Sequence, residues 1–153
     1  MIGLDKKDRN ILAQLQSDGR MTNAQLAERV HLSESACLRR VRRLEAEGVI
    51  RGYATLVDQG AIGRPTNVFV EISLVSQSVE IQQGFEDAVR DCPDVMSCHL
   101  MSGDSDYLLH LVVADTADFE RVHRSYLSRL PGVARIRSSF TLRTVCSKTA
   151  FDL

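Results

Sequence analysis

The sequence predicts an α+β chain of two modules: a helix-turn-helix followed by a ferredoxin-like β-α-β-β-α-β unit. Three observations predict it. Helix-capping signals recur at short intervals, at Asp5, Thr22 and Ser33. From residue 66 onward, stretches of alternating apolar residues trade places with stretches of helical spacing. Charge divides the chain in the same way. Residues 1–55 carry ten Lys/Arg against seven Asp/Glu, residues 56–153 carry nine against thirteen, and the balances of +3 and −4 sum to the net −1. A basic front on an acidic remainder suggests that one module meets a polyanion. The expected organisation is a first module over residues 1–57, a linker over 58–65 and a second module over 66–153.

In the first module, Asp5 caps a helix that runs to about Ser17. Ile11, Leu12 and Leu15 lie on one side of it, and Gly19 stops it. Thr22 and Gln25 form a capping box for a second, short helix with Leu26, Ala27 and Val30 inward. Ser33 caps a third helix that ends near Glu47 and Gly48. Val49 to Val57 is β-competent and reads as a strand leaving the module.

The third helix carries the chemistry. At about 100° per residue, Arg39, Arg40, Arg42 and Arg43 share one face, opposite an apolar stripe of Cys37, Val41 and Leu44. Docked by that stripe, the helix presents guanidinium forks that bond phosphates or guanine edges with paired hydrogen bonds. Ser33, Ser35 and Ala36, at its start, fall where recognition helices approach bases. The alternative is a merely solvated basic face. Against it, Arg39 and Arg40 lack an acidic residue three or four positions later, and Glu45 and Glu47 serve Arg42 and Arg43 only in part.

In the second module, Val68, Val70, Ile72 and Leu74 alternate with polar residues as a half-buried strand. Ser78 to Cys92 fits a helix, Val95 to Met101 a strand, and Gly103-Asp104-Ser105-Asp106 a turn. Tyr107 to Val113 is a strand, Asp115 to about Leu130 a helix, and Val133 to about Val145 a last strand. Both helices cover one face of a four-stranded antiparallel sheet. The other face carries Phe69, His99, Met101, Leu108, His110, Val112, Ser139 and Thr141. It is too apolar to lie bare and suggests a symmetric dimer.

Several function classes are unfavoured. At 44% hydrophobic and 25% charged the chain is not disordered in bulk. Its apolar runs fall short of the roughly 18 residues a membrane span needs. Met1 to Asp5 lacks the start of a secretory signal, and Cys37, Cys92, Cys98 and Cys146 form no C-x-x-C pair. The expected location is therefore the cytoplasm, with free thiols. No nucleophile motif, phosphate loop or metal-ligand set appears, so neither an enzyme nor a cofactor protein is expected. His99 and His110 on neighbouring strands lack further metal ligands, and Asp104 and Asp106 are only a fragment of a calcium loop.

Taken together the segments resemble the leucine-responsive regulatory protein/AsnC family of transcription regulators. The resemblance rests on Leu4-Asp5-Lys6-Lys7-Asp8-Arg9-Asn10-Ile11-Leu12, on Leu32 through Glu45, on Gly48-Val49-Ile50-Arg51-Gly52-Tyr53, on Cys98 through Leu109, and on Leu130-Pro131-Gly132-Val133. It implies a winged-type helix-turn-helix, a hinge strand and a ferredoxin-like effector domain. It also implies double-stranded DNA as a partner, and homodimers that assemble further, usually to octamers. Its implied effector is an amino acid or related small metabolite, bound where dimers meet, with the Gly103 to Tyr107 loop lining the site. Many relatives have Pro where this chain has Ala36, a change expected to alter base preference but not to remove DNA binding.

The loop's chemistry fits such an effector. Asp104 and Asp106 suit an α-ammonium, backbone N–H groups around Gly103 a carboxylate, and Leu100 and Met101 an apolar side chain. Ser139 and Thr141 are weaker candidates. Read without the resemblance, Gly103 to Asp106 also satisfies plain β-turn chemistry. An architectural DNA-compacting protein without a ligand is the other binding class the residues allow.

Overall fold

A computed structural model describes residues 3–153. Met1 and Ile2, the start of the first module and of the stretch read for a signal, lie outside the described residues. The chain separates into two compact units: the chain up to Leu56 together with Val145–Leu153, and Val57–Thr144.

The first unit holds α1 (Lys6–Ser17), α2 (Asn23–Arg29) and α3 (Glu34–Ala46). Each begins at the expected cap. Asp5 and Asp8 form a reciprocal capping box, as do Thr22 and Gln25, and the Ser33 hydroxyl accepts from Ala36 N–H. Ile11, Leu12, Leu26, Ala27, Val30, Cys37 and Leu44 are buried together as the core. The turn between α2 and α3 is tight. His31 takes φ +53°, a left-handed conformation that costs a non-glycine residue about 1–2 kcal/mol. Lys7 Nζ donates to the Val30 and His31 carbonyls at 2.7 and 3.4 Å, supplying partners at the end of α2.

Val49 to Val57, expected as a strand, forms none. Val49 and Ile50 donate back to the Leu44 carbonyl and pack on the core. Beyond them the backbone finds no ladder partner among the described residues, and a strand cannot be built without one. Tyr53 ties the segment to α3, its hydroxyl donating to Glu45 at 3.0 Å. Residues 145–153, expected in the second module, instead pack in the first unit. There the Phe151 N–H donates to Gln16 Oε1 (2.7 Å), and its carbonyl accepts from Gln16 Nε2 (3.1 Å).

The second unit runs β1 (Thr66–Leu74), α4 (Val79–Arg90), β2 (Val95–Leu100), β3 (Tyr107–Val113), α5 (Thr116–Ser125), a 3-10 turn (Leu127–Arg129) and β4 (Val133–Phe140). The strands are ordered β2-β3-β1-β4, all neighbours antiparallel, as the split β-α-β unit requires. Val68, Val70, Ile72, Leu109 and Leu111 bury one sheet face against Phe85 and Val89 of α4 and Phe119 and Val122 of α5. The last helix ends at Ser125, earlier than expected, and the last strand at Phe140 rather than near Val145.

On the opposite face Phe69, His99, Met101 and Ser139 are exposed. Val112 departs from expectation and is buried. Its cross-strand partner Asn67 donates to Gln59 of the 58–63 turn, so that end of the face is not bare. His110 stacks on Phe69 with centroids 4.9 Å apart and bonds Asn67 Oδ1. Asp94, also buried, holds Arg64 at 2.6 Å and Arg121 at 3.1 Å, which anchors the end of the linker.

Candidate nucleic-acid interface and effector loop

The stripe that seats α3 is the expected one: Cys37 and Leu44 are fully buried and Val41 half-buried. The four arginines on the other side do not behave alike. Arg39 and Arg42 are exposed and make no ion pair or hydrogen bond among the described residues. Arg40 reaches Asp5 at 2.7 Å and Asp8 at 2.8 Å, and Arg43 reaches Asp8 at 2.5 Å and Glu47 at 3.8 Å. Asp8 is buried on α1. The expected row of four free guanidinium groups is thus two free and two engaged. The anions that engage them come from α1, more than thirty positions away in sequence.

The electrostatics follow. The Asp8 N–H bond, then Arg40, hold the Asp5 carboxyl below its usual range, and Asp5 and Asp8 raise the Arg40 guanidinium. At the start of α3 the Ser33 hydroxyl is committed as a cap and lies 3.3 Å from Ser35 Oγ. Ser35 is exposed and Ala36 half-buried. Asn23 Nδ2 donates to the Glu34 carbonyl at 2.9 Å, fixing the start of α2 against the start of α3. Leu38, absent from the predicted set, is 38% exposed beside this face. Its exposure was not legible, because a leucine on a short helix reads as core.

The second set of predicted residues is more scattered. Leu100, Met101, Gly103 and Asp104 are exposed around the loop after β2. Asp106 is built into the sheet end: its carboxylate accepts from Leu74 N–H at 2.7 Å and from Gln77 Nε2 at 2.8 Å. Those bonds, and not an open rim, explain an acid in that turn. Tyr107 is buried, tilted against Phe85 with centroids 4.5 Å apart, and its hydroxyl donates to Glu86 at 2.9 Å. Ser139 and Thr141 do not join the loop within one chain. The Asp106 N–H bonds the Ile72 carbonyl, whereas Thr141 N–H bonds that of Asn67. Those carbonyls lie five residues apart on β1, about 17 Å along a strand.

A cleft of ≈ 370 Å³ opens between α4 and β2, with Glu86, Val89, Arg90, Cys98, Leu100 and Tyr107 among its walls. Only Leu100 and Tyr107 of the predicted residues reach it. Burial pushes the Cys98 thiol up to about 11, and burial together with Glu86 pushes the Tyr107 phenol up to about 12. Both folded groups favour the neutral form. Their stabilisation is therefore complete below their ordinary values of 9.0 and 10.0 and lost as pH climbs through the raised ones. The unfolding midpoint should hold near pH 8 and fall between pH 9 and 12. Tyr107→Phe should flatten the upper part of that fall, and an unchanged alkaline profile in this variant would contradict the assignment.

Among the described residues no three His, Cys, Asp or Glu side chains gather as a metal site. His99 pairs with Leu108, and His110 with Ser97, so the two imidazoles are not directly opposed. No helix among the described residues is long and apolar enough to cross a membrane.

Comparison with known proteins also divides the chain near the linker, but it keeps residues 145–151 with the second module. Residues 4–51 match the winged helix-turn-helix DNA-binding family, and residues 67–151 match the Lrp/AsnC ligand binding domain. The Bkd operon transcriptional regulator of Pseudomonas aeruginosa is 42% identical over 150 residues, covering 98% of both chains. The chain belongs to the Lrp/AsnC family. The leucine-responsive regulatory protein of Escherichia coli K12 is also 42% identical, over 93% of this chain and 87% of its own length. A transcriptional regulator of Neisseria meningitidis, solved with L-Met, superposes with a TM-score of 0.91 at 36% identity, covering 98% of this chain and 97% of its own. An AsnC-family regulator of Agrobacterium tumefaciens does so with 0.92 at 34% identity, covering 97% of each. As an Lrp/AsnC protein the chain is a DNA-binding transcription regulator with an amino-acid ligand-binding domain. The expected architecture, a winged-type helix-turn-helix ahead of a four-stranded ferredoxin-like domain, is the one observed.

Proposed function

We propose that this chain regulates genes of amino-acid metabolism by docking α3 in the major groove, and that a small amino acid adjusts the docking. The observation that carries it is the exposed, unpaired Arg39 and Arg42 on the face of α3 opposite buried Cys37 and Leu44. Arg39 and Arg42 contact phosphates or guanine edges, with Ser35 and Ala36 near bases and Ser33 holding the first turn. Two copies related by a two-fold axis set their α3 helices one helical turn of DNA apart. The exposed Phe69 and half-buried His110 and Leu108 support sheet-to-sheet pairing of those copies, with tetramers of dimers above it.

The effector is held by the exposed 100–104 loop, Asp104 facing its ammonium, with a neighbouring dimer completing the site. It acts by binding one assembly or DNA-compatible orientation better than another. The protein works in the cytoplasm and performs no catalysis, needing neither metal nor cofactor.

A gel-shift titration on the promoter of the protein's own gene, with and without each of the twenty amino acids, tests this reading. Arg39→Ala with Arg42→Ala should cut affinity at least tenfold and lower the salt slope by about 2 per α3. At least one amino acid should move the wild-type midpoint and raise the thermal midpoint. Unchanged affinity and slope in the double variant would discard α3 as the docking helix. No response to any amino acid would favour an architectural protein.

A further inference from the structure

The engaged arginines of α3 are held at short range by Asp5 and Asp8, with Glu47 a more distant neighbour of Arg43 at 3.8 Å. Asp8 is buried, and both of its carboxylate oxygens are committed, Oδ1 to Arg40 and Oδ2 to Arg43 and to the Asp5 N–H. Asp5 adds a second carboxylate to Arg40. Were Arg40 and Arg43 to leave for DNA phosphates, Asp8 would stay behind as a buried charge without a counter-ion. That is the arrangement proteins avoid most strongly. A phosphate pair formed instead at the surface, where salt and water screen it, does not offset that loss.

Resting on the reading that α3 meets the duplex, we infer that Asp5 and Asp8 are specificity-determining positioning residues. They withhold Arg40 and Arg43 from the phosphate backbone, so Arg39 and Arg42 alone of the four read DNA. The two aspartates also brace α3 against α1, so the free pair is presented at a fixed angle. Phosphate contacts bind every sequence alike, while base contacts discriminate. Sequestering half of the cationic row lowers affinity for random DNA, and the pair that remains still carries selection. The clamp is thus a brake on non-specific binding.

The test measures binding of the full chain to a duplex of random sequence by fluorescence anisotropy at 50 and 200 mM salt. Asp5→Asn with Asp8→Asn keeps the size and capping capacity of both side chains, since Asn caps as well as Asp, but removes both charges that hold Arg40 and the nearer of the two that hold Arg43, leaving the exposed Glu47. A control of equal charge change, Asp18→Asn with Glu28→Gln, alters exposed positions that touch none of the four arginines. Two released guanidinium groups steepen the salt slope by up to about 1.8 per α3. The clamp variant should therefore gain about tenfold more affinity than wild type on going from 200 to 50 mM salt, while the control keeps the wild-type slope. A clamp variant no steeper than the control overturns the inference.

Should the clamp variant fail to unfold cooperatively, single variants decide. Arg39→Gln should lower the slope by about 0.9, and Arg40→Gln should leave it unchanged. Arg40→Gln lowering the slope as far as Arg39→Gln does would overturn the inference. If neither variant moves the slope, the docking reading of α3 fails and takes the inference with it.

Discussion

Replacing Gly132 by alanine should lower the stability of the second unit by about 2–5 kcal/mol. Gly132 sits at φ +71°, in the left-handed region where a Cβ crowds the following carbonyl. That alone costs about 1–2 kcal/mol. A Cβ there would also collide with Ile81 Cγ2 of α4, which packs against the core. Neither partner can step aside, because the Gly132 carbonyl accepts from Val75 N–H at 2.8 Å and Ile81 is branched at its own Cβ. Overpacking of this kind costs about 1–3 kcal/mol more. Thermal unfolding should show a drop on the order of 15 °C. Gly103→Ala is the matched control, since no positive φ is needed there and a Cβ meets nothing within 4 Å. Equal midpoints for the two variants would refute the assignment.

Phe85→Ala should cost about 3–5 kcal/mol, the range for emptying a fully buried aromatic site. Phe85 is fully buried on the face of α4 that packs in the core with the sheet, and its ring lies against Tyr107. The loss should appear as a lower denaturant midpoint with an unchanged slope. It should have a second signature. Burial is the first cause of the raised Tyr107 phenol, so a void beside the ring should admit water and bring its ionisation down from about 12. Absorbance titration of the phenolate reads this directly, and an unmoved phenol would mean that the cavity had collapsed around Tyr107.

What the sequence disclosed was chiefly what is local. Asp5, Thr22 and Ser33 cap the helices predicted to begin at them, because a cap needs only residues two or three positions on. The strands of the second unit were legible from alternation, since one face of each is buried. What escaped was long-range. A helical wheel sees neighbours at three and four positions, so Arg40 looked uncompensated and Arg43 only partly served, while their anions waited on α1. Val49 to Val57 has strand composition, but composition cannot supply a partner strand. Asp106 looked like a ligand group because Asp in a turn and Asp in a binding loop are the same residue. Only the Leu74 and Gln77 donors reveal what it holds. Tyr107 went inward for want of any sequence sign that Glu86 would meet its hydroxyl.

The return of residues 145–153 to the first unit, with Phe151 bonded to Gln16, bears on any attempt to study the modules apart. Splitting the gene at the linker would part Gln16 from Phe151 and leave the effector half carrying residues 145–153, with exposed Val145 and Phe151, without that bond. An effector fragment trimmed at Thr144 avoids that sticky end. A DNA-binding fragment supplied with a peptide spanning 145–153 should regain the Gln16–Phe151 bonds.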